Sequence, residues 1–387
     1  MNKVNRLAII TTHPIQYYAP IFSRLAGYED LEIKVFYTWE KEAAKFDRDF
    51  GKEVEWDLPL LDGYPYCFVP NNDHAGRGFW DVKNPGLVKA IEDWNASAVL
   101  VIGWNYLSHL KTMFHFKNRI PVLFRGDSTL LDENDGIKKR LRRIFLKYIY
   151  RRTDHALYVG AANKAYFLKH DIKESQLVFT PHAIDNSRFG QLSEEQEIFI
   201  NNTRQAMGIG PDDITILYCG KLIPKKNPLL LAQAVKDINN EKLHLIFVGD
   251  GILEQELKQE IEGYTRMHLL PFQNQLMMPA VYRLGEIFCL PSAGPGETWG
   301  LAVNEAMACG RAVLVSDKAG CTVDLVQEGV NGYNFRPNDI NDLKHKINKM
   351  ISDKDTLATM GTASARLIEG WNFDTIVAAV KKVLQQP

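Results

Sequence analysis

Residues 287–310 read IFCLPSAGPGETWGLAVNEAMACG, and this stretch decides how the rest of the chain is read. The apolar run Ile287–Leu290 predicts a strand buried on both faces, because it lacks the polar alternation of a half-exposed strand. Pro291 ends it. A loop with Gly294, Pro295 and Gly296 follows, and a helix starts near Trp299–Gly300 and closes at Gly310, a natural glycine just past a helix end. At that helix start the amides of Thr298, Trp299, Gly300 and Leu301 would be unpaired and form an anion site, aided by the helix dipole. Glu297 stands just outside the helix and Glu305 lies eight positions on, a little over two turns. Both carboxylates can therefore face one crevice. A carboxylate accepts from two sugar hydroxyls at once, which suits ribose or hexose recognition. Alone, either glutamate reads as a cap or a solvated helix residue; together, on a glycine-rich strand-to-helix loop, they point to a site.

The same strand-to-helix alternation recurs outward in both directions. Apolar runs predict strands at Leu7–Thr11, Ile33–Tyr37, Ala98–Ile102, Val122–Phe124, His155–Val159 and Leu177–Thr180, then at Thr215–Cys219, His244–Val248 and Ala312–Val315. Amphipathic stretches between them include Pro20–Gly27, Gly86–Asn95, Asn227–Ile238 and Leu253–Gly263. This pattern predicts doubly wound α/β architecture with parallel sheets. A polar break near Asp185–Asp213 separates two Rossmann-like halves. The expected division is 1–185, a linker at 186–212, 213–369, and a C-terminal helical segment at 370–387.

Two further strand ends carry chemistry. Tyr218 to Asn227 reads YCGKLIPKKN directly after a strand. Gly220 allows a tight turn there, and Lys221 and Lys226, across a loop with Pro224, can clasp a diphosphate as point charges. A solvated lysine-rich loop is the plain alternative. It is not a Walker A loop, since GxxxxGK[ST] is absent. Phe247–Gly251 repeats the strand and glycine turn at Gly249, a pattern that by itself is more often structural, and Phe272-Gln273 follows a further strand end and could border a flat base.

The chain of 387 residues has room for two domains at roughly 100–200 residues each. Lys+Arg is 46 against Asp+Glu 47, a net charge of −1 that excludes nucleic-acid binding through overall basicity and a highly charged disordered chain. No apolar run is long enough to span a bilayer, and the short run before His13-Pro14 reads as a first strand, not a signal peptide. Cys67, Cys219, Cys289, Cys309 and Cys321 show no CxxC pairing and read as reduced residues of a cytoplasmic protein, with no metal site expected. Asp47-Arg48-Asp49 and Asp353-Lys354-Asp355 mimic metal-binding DxD triplets but follow no buried strand, so they read as surface charge.

These residues together resemble the retaining glycosyltransferases of family 4, of GT-B fold. The E-x7-E spacing of Glu297 and Glu305, NEAMACG at Asn304–Gly310, EGVNGYNF at Glu328–Phe335, Gly220-Lys221-Leu222 with Lys226, and PHAIDNSRF at Pro181–Phe189 carry the resemblance. It covers most of residues 155–335. It implies two Rossmann-like domains facing across a cleft and closing over a nucleotide-sugar donor, UDP- or GDP-linked, with the C-terminal helix crossing back to the first domain. By the same resemblance Glu305 binds the donor ribose, Glu297 the hydroxyls of the transferred sugar, Lys221 and Lys226 the leaving diphosphate, and the amides of Thr298–Leu301 the donor sugar and phosphates. No metal is then needed. An epimerase of the same fold, acting on a nucleotide sugar, and a non-catalytic nucleotide-sugar-binding protein are the rival readings.

The sequence departs from the family in having Lys221 where arginine is usual, which keeps the charge but loses the bidentate fork. Thr12-His13-Pro14-Ile15-Gln16-Tyr17 replaces the glycine-rich N-terminal loop. His13, Arg125 and Asp127, all at strand ends, are expected to line the acceptor side, the plain alternatives being a turn residue for His13 and a local ion pair for Arg125 and Asp127. Finally, Lys138–Arg152 reads KKRLRRIFLKYIYRR, with eight basic residues and no acidic one. Leu141, Phe145, Tyr148 and Ile149 fall on one helical face. Such a helix either packs on the core or lies on an anionic membrane; the family resemblance favours the second, and implies a cytoplasmic protein peripheral at the inner membrane face with a saccharide or lipid-linked acceptor.

Overall fold

A computed structural model describes residues 5–39, 46–47, 52–53, 55–71, 78–133 and 136–385. In chain order the strands are β1 (Asn5–Thr11), β2 (Leu31–Tyr37), the two-residue pair β3 (Phe46–Asp47) and β4 (Lys52–Glu53), β5 (Tyr66–Phe68), β6 (Ala98–Ile102), β7 (Val122–Arg125), β8 (His155–Tyr158) and β9 (Leu177–Phe179). They continue as β10 (Ile214–Cys219), β11 (Leu243–Val248), β12 (Met267–Leu270), β13 (Ile287–Leu290), β14 (Ala312–Ser316) and β15 (Gly332–Phe335). The chain divides into two compact units. One comprises Met1–Phe46, Leu58–His182 and Phe373–Pro387; the other comprises Asp47–Asp57 and Ala183–Asn372.

The first unit holds a seven-stranded sheet in the order β5-β2-β1-β6-β7-β8-β9, and its described pairings are parallel. Its inner strands are the apolar runs expected, because a parallel strand covered by helices on both faces has no wet side. Leu7, Ala8, Ile9 and Ile10 are fully buried. The edge strand β5 escaped the pattern: Tyr66 is exposed and its neighbours half-buried, so it shows no continuous apolar run.

The C-terminal helix Phe373–Leu384 belongs to this unit and packs on helix Ala19–Ala26. Phe373, Ile376, Val377, Val380 and Val383 are its buried stripe at helical spacing. Its rim is tied by Arg24 to Asp374 at 2.6 Å and by Lys381 to Asp30 at 2.9 Å.

The second unit holds a six-stranded parallel sheet in the order β12-β11-β10-β13-β14-β15. The order reverses between β10 and β13, and ligands of open α/β sheets bind outside the carboxyl ends of the strands at such a reversal. The 186–212 segment folds here as two capped helices. Asp185 accepts from the Arg188 amide at 3.1 Å to start Asn186–Gly190, and Ser193 and Gln196 form a capping box for Glu194–Ala206. Phe189 is fully buried. No helix among the described residues is long and apolar enough to cross a membrane.

Candidate active site

The reversal in the second sheet places the ends of β10 and β13 side by side, and with them the two constellations read separately from sequence. After β10 the chain turns at Gly220, and after β11 it turns at Gly249. These turns interlock backbone to backbone: the Gly220 amide donates to Val248 O at 3.0 Å, and Leu222 N to Asp250 O at 2.9 Å. A Cβ on Gly249, at φ +142°, would lie 2.1 Å from the Gly220 carbonyl oxygen, so only glycine fits. Gly249 thus shapes the loop that carries the lysines. Tyr218, buried beneath, donates its hydroxyl to Lys221 O at 2.7 Å.

The short 3₁₀ turn Pro224–Lys226 then brings Lys226 to the loop after β13. Its ammonium lies 2.5 Å from Glu297 Oε2, and Ser292 donates to the same oxygen at 3.0 Å. Glu297 is only 7% exposed. Ala293 N donates to Lys225 O at 2.8 Å, fastening the two loops together. Lys221 is half-buried on the same turn.

Helix Leu301–Ala308 begins one residue later than expected, from Gly300 at φ +101°. Among the described residues, no backbone hydrogen bond is donated by the Gly300 or Leu301 amide, so both remain available to an anion. Glu297 O and Trp299 O accept from Gly320 N and Cys321 N, each at 3.1 Å, which pins the loop. The Trp299 ring is buried. It donates to Asn304 Oδ1 at 2.8 Å and packs 5.2 Å from Trp371, so only its backbone suits the expected role.

Glu305, mid-helix, is 3% exposed and accepts the hydroxyl of Tyr282 at 2.6 Å. Its charge also reaches Cys219 at the end of β10, whose thiol is pushed up by burial first and by Glu305 second. Beyond β12, Phe272 N donates to Asp250 Oδ1 at 3.1 Å, while Gln273 folds onto its own turn at Pro271 O. Trp56, from the Asp47–Asp57 segment, meets the Phe272 ring edge-on at 6.2 Å, and Asn274 donates to Glu55 O at 2.7 Å. Sequence reading missed Tyr282, Ser292 and Trp56. Only the last has no signal at all, since its contact is set by a distant part of the chain.

In the first unit His13 follows β1, bonds Thr12 Oγ1 at 2.9 Å, and stacks on Trp39 with ring centroids 4.5 Å apart. Asp127 Oδ2 lies 3.7 Å from Nε2 of His182. Burial pulls the His182 pKa down, and Asp127 opposes that pull. Arg125 is a clamp: its guanidinium donates to Thr180 O at 2.7 Å, Thr180 Oγ1 at 2.6 Å and Pro181 O at 3.1 Å. His182 and Tyr18, whose ring lies under the Arg125 guanidinium at 5.8 Å, were not foreseen. His109, fully buried, is a strut between Gly103 O at 2.7 Å and Thr38 Oγ1 at 3.0 Å.

The basic helix spans Ile137–Tyr150 and corrects its reading. The core takes Leu146, Ile149 and Tyr150, which share one face at i, i+3 and i+4. Of the four residues expected to form the apolar face, only Ile149 is buried; Leu141 is 61% exposed, and Phe145 and Tyr148 about half exposed. Ile137 and Ile144 are exposed as well. Glu133 pairs with Lys139 and Arg143, and Lys147 with Asp171.

Among the described residues, no group of three or more His, Cys, Asp or Glu side chains is placed to hold a metal ion. Arg48 and Asp49 of the first DxD triplet lie outside the described residues; Asp353 of the second caps helix Lys354–Ile368.

Residues 199–367 match the family model described as glycosyl transferases group 1. Among curated proteins, the chain is 25% identical over 240 residues to the sulfoquinovosyl transferase of Arabidopsis thaliana, covering 61% of this chain and 45% of that protein. It is 26% identical over 189 residues to the lipopolysaccharide 1,2-N-acetylglucosaminetransferase of Salmonella typhimurium, covering 46% of this chain and 49% of that one. The matches thus span about half the length of these relatives. Among solved structures, Anabaena HepE in complex with UDP and glucose superposes with a TM-score of 0.72 at 18% identity, covering 98% of this chain and 99% of that one. WaaG, a glycosyltransferase involved in lipopolysaccharide biosynthesis, does so at 0.67 and 14%, covering 98% and 100%. The fold is that of the GT-B glycosyltransferases.

Proposed function

We propose, on the match of residues 199–367 to the group 1 glycosyl transferases, that this chain is a retaining glycosyltransferase. It moves a sugar from a UDP- or GDP-linked donor to a glycan or lipid-linked acceptor in cell-surface polysaccharide or glycolipid synthesis. One observation carries the reading: the buried carboxylates Glu297 and Glu305 and the half-buried Lys226 are gathered at the switch point of the second sheet. A buried carboxylate is costly unless it is paired or hydrogen-bonded, and these two are kept where they can still accept ligand hydroxyls.

Glu305 takes the ribose, Glu297 the hydroxyls of the transferred sugar, and Phe272 and Gln273 border the base. Breaking the donor bond builds negative charge on the diphosphate and positive charge at the anomeric carbon. Lys221, Lys226 and the amides of the Gly300–Leu301 helix start stabilise the first, held in place before the reaction begins. On the first unit, His13 and Asp127 handle the acceptor, with Asp127 supported by His182.

The likeness to the lipopolysaccharide 1,2-N-acetylglucosaminetransferase supports the acceptor class. The exposed Ile137, Leu141 and Ile144 beside a run of basic residues support docking on an anionic membrane face, each basic residue contributing about 1 kcal/mol near the surface.

The test is incubation with a panel of nucleotide sugars, with and without saccharide and lipid-linked acceptors, followed by NMR of the product's anomeric carbon. Acceptor-dependent release of nucleoside diphosphate with the donor's configuration kept is the expected result. An isomerised donor without such release would mean an epimerase, and binding without turnover a non-catalytic protein.

A further inference from the structure

Tyr282 ends the short helix Met278–Tyr282 and is 1% exposed. Its ring is held edge-on by Phe189 at 6.0 Å and by Phe288 of β13 at 5.5 Å. Phe189 comes from the 186–212 segment, so a stretch that reads as connection supplies one wall of this slot. The hydroxyl donates to Glu305 Oε2 at 2.6 Å.

An ionised carboxylate offers about four lone-pair directions over its two oxygens. A neutral phenol occupying one of them, on a ring packed between two others, constrains the carboxylate plane and so sets the directions of the remaining pairs. Two neighbouring hydroxyls of a ring present donors in a matching fixed pair. Without the phenol, Glu305 loses a contact that orients it, and a mid-helix glutamate has rotamers to spare.

We propose that Tyr282 is a positioning residue that makes Glu305 a selector for the ribose diol, so that the site discriminates ribonucleotides from nucleotides lacking those hydroxyls. This rests on the reading of the second unit as the nucleotide-sugar site and deepens it: the specificity for ribose is built into a side chain that never touches the ligand. Ser292 stands to Glu297 as Tyr282 does to Glu305, but with Lys226 sharing the same oxygen its share is smaller.

The experiment is calorimetric titration of the full chain with UDP, GDP and ADP, then with the 2′,3′-dideoxy form of whichever binds most tightly. The wild type prefers the ribonucleotide by about tenfold or more, since each hydrogen bond to a charged group is worth roughly a factor of ten. Tyr282→Phe removes one oxygen and keeps the ring in its slot; it reduces that preference about fivefold or more, chiefly by weakening the ribonucleotide. Glu305→Ala abolishes the preference, and adding Tyr282→Phe to it changes nothing further.

An unchanged ratio in Tyr282→Phe overturns the proposal. So does equal weakening of both nucleotides, which is what a merely structural role gives. If Tyr282→Phe does not fold, Glu305→Asp, which draws the charged carboxylate back from the phenol, must lose the preference; retention of it overturns the proposal. Should the wild type bind no nucleoside diphosphate, the donor-site reading itself falls, and this inference with it.

Discussion

Glu297→Gln separates what this carboxylate does for diphosphate binding from what it does in the reaction. In the structure Lys226 already has an anion, at 2.5 Å. An incoming diphosphate must share or displace it. At an effective dielectric of about 20, opposite charges about 4 Å apart attract by about 4 kcal/mol. Glutamine keeps the shape and an acceptor oxygen but removes the charge, so most of the competition goes. Recovering even about a third of that figure tightens a ligand tenfold. We therefore expect Glu297→Gln to bind nucleoside diphosphate about tenfold more tightly than the wild type while its transfer rate falls about 100-fold or more, a loss of the size seen when one oriented electrostatic group is removed from a reaction site. The assays are calorimetric titration with the diphosphate and acceptor-dependent release of it from the donor. Weaker diphosphate binding in Glu297→Gln would refute the reasoning, because it would make Glu297 a support for the lysine loop and not its competitor.

The remaining expectations concern other parts of the molecule. Gly249→Ala forces a Cβ to within 2.1 Å of the Gly220 carbonyl at positive φ, and should cost about 2–4 kcal/mol and weaken diphosphate binding; differential scanning calorimetry would show a melting point lowered by about 5–15 °C, and an unchanged one would mean the interlocked turns are not as described. Burial holds the His109 pKa down at about 4, against an ordinary value of 6.5, so the folded chain stays neutral there where the unfolded chain takes a proton. Stability from this group is complete above about pH 6.5 and is lost as pH falls towards 4, by about 3 kcal/mol in total, and His109→Gln should lack that part of the acid dependence in urea titrations at pH 7 and 4.5. The full chain should sediment with anionic vesicles at low salt and be released as salt rises, and the Leu141→Gln/Ile144→Gln double variant should bind several-fold more weakly; no binding at low salt removes the membrane reading. Asp127→Ala should lose most sugar transfer while retaining diphosphate affinity, whereas unchanged turnover removes Asp127 from the site.

Much of the fold was legible because parallel strands covered on both faces leave long apolar runs, and the inner strands β1, β6, β10 and β13 all do so. Two of the edge strands do not. β5 carries the exposed Tyr66, and β15 reads Gly-Tyr-Asn-Phe, so neither announces itself. The lysines and glutamates of the second unit were readable as two separate constellations; that Lys226 and Glu297 touch depends on strand order, which periodicity does not encode. Arg125 shows the opposite case. Its place at a strand end suggested ligand contact, but both terminal nitrogens of the guanidinium donate to Thr180 and Pro181, two of the three bonds going to backbone carbonyls that no side-chain pattern announces. The basic helix misled for a geometric reason. Counting apolar residues finds a face, but which face meets the core is decided by the sheet beneath it, and that sheet takes Leu146, Ile149 and Tyr150.

The central claim is that the switch point of the second unit holds the donor nucleotide. A crystal structure of the chain with its tightest-binding nucleoside diphosphate tests it most directly. The account predicts ribose hydroxyls within hydrogen-bond distance of Glu305 and phosphate oxygens at Lys221, Lys226 and the Gly300–Leu301 amides. Nucleotide density anywhere else, or ribose turned away from Glu305, would contradict it.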